Sequence, residues 1–200
     1  MPKEKKKQQQ TEETIDFPQR YGVVAADFSL KRPGFCLMTV VRGENGSKIT
    51  EIITTNVDNR RPNRTHGELL HQILLKMVYF FPEDDLAGFP VFFVREKAFN
   101  SRAAMSEIGI FKVVGLADWF LGRLGKTWHE LYPVSVKKLV TGSGKADKIQ
   151  VANALQVYLG ERNYATDDES DAAAVAVAWL IHHGQLKAAE GEEKTHVSPR

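Results

Sequence analysis

Four acidic residues stand at places where local structure alone gives little reason for an acid. Asp27 closes the apolar run at the start of Tyr21–Phe35 (YGVVAADFSLKRPGF), and Glu96 closes a second run, FPVFFVRE. Strand ends are more often marked by Gly, Asn or Ser. Asp168 and Asp171 lie three apart in ATDDESDAAAVAVAW, a spacing that puts both on one face of a helix. Carboxylates brought together raise one another's pKa and stay ionised together only with cations among them. Hard divalent ions accept oxygen donors of this kind, and Mg²⁺ takes one or two carboxylates plus substrate phosphate. Two such ions about 3.5–4 Å apart activate a water and stabilise the leaving oxygen of an in-line phosphodiester displacement. A simpler reading exists for DDESD: the helix dipole favours acids in a first turn by roughly 0.3–1 kcal/mol each. That accounts for the run by itself but leaves Asp27 and Glu96 unexplained, so the metal reading is preferred.

The elements that must bring these acids together follow in order. Tyr21–Ser29, Phe35–Arg42 and Ile49–Asn56 are rich in β-branched residues and separated by Gly-containing turns, the pattern of three consecutive antiparallel strands. Thr65–Phe81 carries Leu69, Leu70, Ile73, Leu74, Met77 and Val78 at helical spacing and is stopped by Pro82. Phe89–Glu96 is a short continuous apolar run, as in a strand covered on both faces. A helix capped by Asn100 or Ser101 is expected to run to about Gly122, with Met105, Ile108, Phe111, Val114 and Leu116 facing the core. Trp128–Ser135 reads as a fifth strand. Val136–Gly144 reads as a short helix and glycine loop, and Lys145–Leu159 and Thr166–Leu180 as helices. Thr166 with Glu169 fits a capping box.

The order β-β-β-α-β-α-β-α-α predicts an α/β, ribonuclease H-like fold: a five-stranded mixed sheet, three antiparallel strands and then parallel ones, flanked by helices. In that order the fourth strand pairs in parallel with the first through a crossover. The first strand then lies at a topological switch point, where sites form at the carboxyl ends of strands. Asp27 and Glu96 would be neighbours there.

Composition sets the bounds. The 200 residues are 42% hydrophobic with a net charge of +2, enough for one domain with a core. That domain is expected over residues 21–184, between a polar, lysine-containing tail at 1–20 and a charged, flexible tail at 185–200. Cys36, the single cysteine, lies in an apolar run and is expected to be a buried side chain. It cannot form an internal disulfide, and no run approaches the roughly 20 apolar residues of a membrane span. A soluble intracellular, cytoplasmic protein is expected. His182–His183 reads as a helix cap, and TGSGK is an incomplete phosphate-loop pattern. Trp119, Trp128 and Trp179 are expected in the core.

From Tyr21 to His183 the chain resembles the RuvC-type Holliday-junction resolvases. The resemblance rests on Asp27 ending the first strand, on Gly34-Phe35, on FVREKAF around Glu96, on VKKLVTGSGKADKIQV, and on DESDAAAVAVAWLIHH. It implies a homodimer that nicks two opposed strands of a four-way DNA junction with two Mg²⁺ ions per site, Mn²⁺ substituting. Asp27, Glu96, Asp168 and Asp171 match the metal-holding acids. Phe99 falls where the family has an aromatic wedge that stacks into the opened junction, although ordinary core is an equal reading of that residue. Lys137 and Lys148 match contacts to the scissile phosphate or DNA backbone, Lys148 as part of the catalytic set. Lys138, Lys145 and Arg32 lie nearby and suit phosphate contact. Two departures point to a divergent, phage or mobile-element-type branch: Phe28-Ser29 replaces the family's Pro-Gly, and the N-terminal extension is unusual.

Two other functions fit parts of the sequence. A ribonuclease H acting on RNA–DNA hybrids is prompted by Glu68 in the first turn of the first long helix. A scaffold that binds branched DNA without cutting it is opposed by the four acids themselves.

Overall fold

A computed structural model describes residues 15–44, 46–60, 63–82, 88–97 and 104–188. Five strands, β1 (Arg20–Asp27), β2 (Gly34–Gly43), β3 (Gly46–Asn56), β4 (Val91–Glu96) and β5 (Trp128–Leu131), form one sheet in the order β3-β2-β1-β4-β5. The β1–β2 and β2–β3 pairs are antiparallel, and β1–β4 and β4–β5 are parallel. The helices among the described residues are α1 (His66–Phe80), α2 (Ala104–Arg123), α3 (Pro133–Thr141), α4 (Lys148–Leu159) and α5 (Asp167–His182). This is the ribonuclease H-like arrangement expected from the element order.

Side chains alternate across the sheet and separate two cores. Tyr21, Val23 and Ala25 of β1, with Cys36, Met38 and Val40 of β2 and Val94 of β4, pack beneath α3, α4 and α5. Val24, Ala26, Phe35 and Phe93 face the other way, against Ile73 and Met77 of α1 and Val113, Ala117 and Leu121 of α2. The sheet is thus a middle layer, and β1 is buried on both sides.

Local chemistry explains the helix ends. Thr65 caps α1 in a reciprocal box with Glu68, and Asp147 caps α4 in the same way with Gln150. Pro133 opens α3, and Gly142, at φ 79°, closes it in the left-handed region. That proline also corrects the fifth strand. Expected to run to Ser135, it ends at Leu131 because the fixed φ at Pro133 suits a helix start and proline lacks a ladder N–H.

Helix α2 is rotated from the expected phase. Ile108 and Phe111, expected in the core, are 48% and 46% exposed, while Val113, Ala117 and Leu121 face the sheet. Trp119, also expected inside, is 57% exposed, whereas Trp179 is fully enclosed. The core also extends past the expected domain limits: Phe17 packs on Tyr21, Phe92 and Trp179, and Gln185 bonds Tyr21 and Ser47. Cys36 is fully buried, and burial pushes its thiol up to about 12, as befits an inert core side chain. No helix among the described residues is long and apolar enough to cross a membrane.

Helix α5 is the packing centre. Every residue from Ala172 to Ile181 is buried, and the helix touches β1, β2, β3, β4, α3 and α4. Its Ala and Val side chains let it approach the sheet closely, leaving little room for a larger group. Ala176→Leu is therefore expected to destabilise the protein by about 1–3 kcal/mol through overpacking, seen as a lower urea midpoint.

Candidate active site

Strand parity puts the first two acids on the α5 side of the sheet. Asp27 continues the Tyr21, Val23, Ala25 face, and Glu96 continues the Phe92, Val94 face. The β1–β4 register pairs Ala26 with Arg95, so Asp27 and Glu96 leave adjoining strands at the next step. Arg95 points to the opposite layer, where it bonds Asp118 and Glu130 and lies over Trp128. Neighbouring residues at this strand tip thus serve different layers.

The second pair arrives at the N-terminal end of α5, over Gly34, with Asp168 in its first turn and Asp171 just beyond it. Gly34 pairs with Asp27 on one side and Asn56 on the other. A Cβ at Gly34 would overlap the Asp168 carbonyl group and lie 2.9 Å from the Glu169 nitrogen. Only glycine therefore lets the helix backbone sit directly on the sheet beside Asp27. Thr166 caps the turn by accepting a bond from the Glu169 N–H.

The electrostatics link all four acids. Burial pushes Asp27 up to about 7, with Glu96, Asp171 and Asp168 adding repulsion and Lys148 opposing it. Burial also pushes Glu96 up to about 7, with Asp171 raising it and Lys137 lowering it. Asp168 is raised by burial against the pull of Arg32 and Lys148. Lys148 lies 3.0 Å from Asp171 and 3.8 Å from Asp167, and Arg32 lies 3.5 Å from Asp168. Its bond to Asp171 raises the Lys148 pKa. Lys148 also occupies the first position of α4, where the helix dipole disfavours a cation; the acids of α5 offset that cost.

Comparison with known proteins decides the family. The family model described as crossover junction endodeoxyribonuclease RuvC matches residues 23–179. The chain belongs to the RuvC family. A RuvC from Azorhizobium caulinodans is 32% identical over 164 residues, covering 81% of this chain and 90% of that protein. One from Rhizobium leguminosarum bv. trifolii is 24% identical over 168 residues, covering 84% and 94%. Among solved structures, Thermus thermophilus RuvC in complex with a Holliday junction substrate has a TM-score of 0.58 at 20% identity, covering 80% of this chain and 93% of that one. Fowlpox virus resolvase with Holliday junction DNA has a TM-score of 0.51 at 12% identity, covering 80% and 99%. At these identities the two structures speak for the fold. The family assignment makes this chain a junction-resolving endodeoxyribonuclease, and RuvC nucleases are metal-dependent.

The donors suit a hard cation: they are carboxyl oxygens from three elements, and mutual repulsion accompanies burial in raising Asp27 and Glu96. Among the described residues, no three His, Cys, Asp or Glu side chains form a ready-made metal cage. Lys148 and Arg32 instead lie against two of the acids.

The other residues singled out in the sequence divide by position. Lys137 lies close enough to Glu96 to lower its pKa. Lys138 and Lys145 are exposed around the glycine loop. Phe99, with the expected caps Asn100 and Ser101, lies outside the described residues. Glu68 is exposed and bonded to the Thr65 backbone and hydroxyl, which hold its carboxyl below its usual pKa; it serves the α1 cap. His183 bonds the Trp179 carbonyl as a helix cap. Glu169 departs from the expected capping box. Only the Thr166 half forms, and its own side chain reaches β3 instead. Sequence spacing could not separate these two destinations.

Two measurements follow from this geometry. Gly34→Ala is expected to displace the α5 turn and abolish cleavage, because the blocking group is helix backbone; retained nicking at the wild-type rate would contradict the close approach. Asp27 and Glu96 stay protonated in the fold at pH values where the unfolded chain has lost those protons. Stability without divalent ions should therefore fall as pH rises from about 4 to about 7. Urea midpoints across this range should show the fall, and Asp27→Asn should lessen it, leaving the part that Glu96 contributes.

Proposed function

We propose that Asp27, Glu96, Asp168 and Asp171 hold two divalent cations, Mg²⁺ with Mn²⁺ as a substitute, for hydrolytic nicking of opposed strands in a four-way DNA junction. The observation carrying this reading is geometric: Asp27 and Glu96 leave adjoining parallel strands on the α5 side of the sheet, and the Asp168 backbone rests on Gly34, the residue paired with Asp27. When bound, such cations supply Lewis-acid polarisation of the phosphate and a more acidic water.

The chain's own groups do the positioning. Asp27 and Glu96 project from strand ends held by the sheet, so their spacing is fixed by backbone register. Asp168 and Asp171 close the opposite side from the N-terminal end of α5. Lys148, at the mouth between α4 and α5, takes a phosphate oxygen when DNA displaces it from Asp171. Lys137 beside Glu96 and Arg32 beside Asp168 contact the DNA backbone on either side, and exposed Lys138 and Lys145 extend the basic rim. Such contacts set the register of the duplex arms without reading sequence. Phe99 acts as the junction wedge on the strength of the family resemblance.

A two-fold-symmetric junction requires two sites, and one chain supplies one acid cluster. A homodimer fits this requirement. The outward residues Ile108, Phe111 and Trp119 of α2 form an apolar face suited to a second copy. The protein works inside the cell, on DNA.

Asp27→Asn should lower nicking at least ~100-fold, the scale for loss of a group that stabilises developing charge, while leaving junction binding intact in a gel-shift assay. Unchanged nicking would remove Asp27 from the mechanism. A four-way junction should be cut in preference to an RNA–DNA hybrid, and Glu68→Gln should leave nicking unaltered; preferential hybrid cleavage would favour the ribonuclease H reading.

A further inference from the structure

We propose that Glu169 is a positioning residue: by gripping strand β3, it holds the turn carrying Asp168 and Asp171 in place over Asp27. The inference deepens the reading of those acids as cation ligands and rests on it.

Glu169 lies between the two acids in sequence yet faces away from them. It is only 5% exposed. Thr54 Oγ1 donates to one carboxyl oxygen at 2.9 Å, Asn56 Nδ2 donates to the other, and the Ala165 N–H donates at 3.4 Å. A buried carboxyl group without such donors would be strongly unfavourable.

The position of these donors gives the grip its meaning. Asn56 pairs with Gly34, and Gly34 pairs with Asp27. The three residues form one row across the sheet, and the first turn of α5 lies over that row. Asn56 holds Glu169, Gly34 seats the Asp168 backbone, and Asp27 faces the acid pair. Repulsion among the acids pushes this turn outward. Gly34 has no side chain with which to retain it, and the Ala and Val face of α5 packs without directional bonds. The bonds from Thr54 and Asn56 supply direction. Stability alone gives little reason for another acid here, since an apolar residue would add no like charge to the cluster.

The test uses the full chain and three variants: Glu169→Ala, Asn56→Ala and Glu169→Gln. Mn²⁺ binding is measured by calorimetry without DNA, and junction binding by gel shift in EDTA. Hydrogen exchange is followed at residues 167–171 without divalent ions, alongside urea midpoints. Glu169→Ala and Asn56→Ala should weaken Mn²⁺ binding roughly 10-fold or more, in the range found when outer partners of metal ligands are removed. They should also speed exchange in the first turn of α5 while its buried remainder stays protected and junction binding is unchanged. Glu169→Gln, which keeps an acceptor for Asn56 and allows the Thr54 hydroxyl to reverse its bond, should recover most of the affinity.

A lower urea midpoint in Glu169→Ala, with wild-type Mn²⁺ affinity and wild-type exchange at 167–171, would overturn the positioning role and leave Glu169 merely structural. If the wild-type protein itself failed to bind Mn²⁺, the cation reading would fall and this role with it. That result is distinguishable, because it appears before any substitution is made.

Discussion

Like charges do not gather unless something else holds them. Here the N-terminal turn of α5 is seated by backbone contact on the sheet at Gly34, next to the strand that carries Asp27, and is tied to β3 by the bonds from Thr54 and Asn56 to Glu169. Burial and mutual repulsion raise both Asp27 and Glu96, and the packing of the rest of the helix opposes that penalty. An almost wholly buried α5, built from small side chains, is the counterpart of an acid cluster at its end.

The two faces of the sheet divide the labour. One face carries Asp27 and Glu96 towards α5, with Lys137 and Lys148 brought in by α3 and α4. The other is an apolar layer under α1 and α2, closed at the strand tip by Arg95 between Asp118 and Glu130. Because successive residues of β4 face opposite layers, Glu96 is flanked by a buried cation that belongs to a separate network. The acids remain an electrostatic group of their own, balanced chiefly by Lys148, Arg32 and Lys137.

Much of this was legible in the sequence, for physical reasons. Strands with β-branched runs and helices with clear caps fall within a few residues of their expected limits. Asp27 and Glu96 stood out because an acid at the end of an apolar run needs an explanation, and strand order made them neighbours. Helix α2 was harder because it is apolar nearly all round. Ile108, Phe111, Val113, Leu116, Ala117 and Trp119 support more than one inward face, and only contact with Val24, Phe35 and Phe93 selects one. Glu169 was hidden for another reason. Its spacing from Thr166 satisfies a local cap, and nothing local shows that strand β3, more than a hundred residues earlier, offers stronger partners. Gly34 was visible as part of a Gly-aromatic pair, but its use as a seat for backbone depends wholly on how α5 packs.

The enclosure of α5 also orders events in time. Asp27 lies near the beginning of the folded chain and Asp168 near its end, so their meeting is among the most distant contacts the polypeptide makes. Closing so long a loop costs entropy before the contact repays it. During synthesis from the N-terminus, β1 through α4 can emerge and begin to pack while the acids remain apart. The constellation comes into being only when residues 167–182 have been made and have settled against the sheet. An incomplete polypeptide lacking that segment would therefore carry half a constellation, and under the role proposed for these acids the capacity to cut would be the last property the nascent molecule acquires.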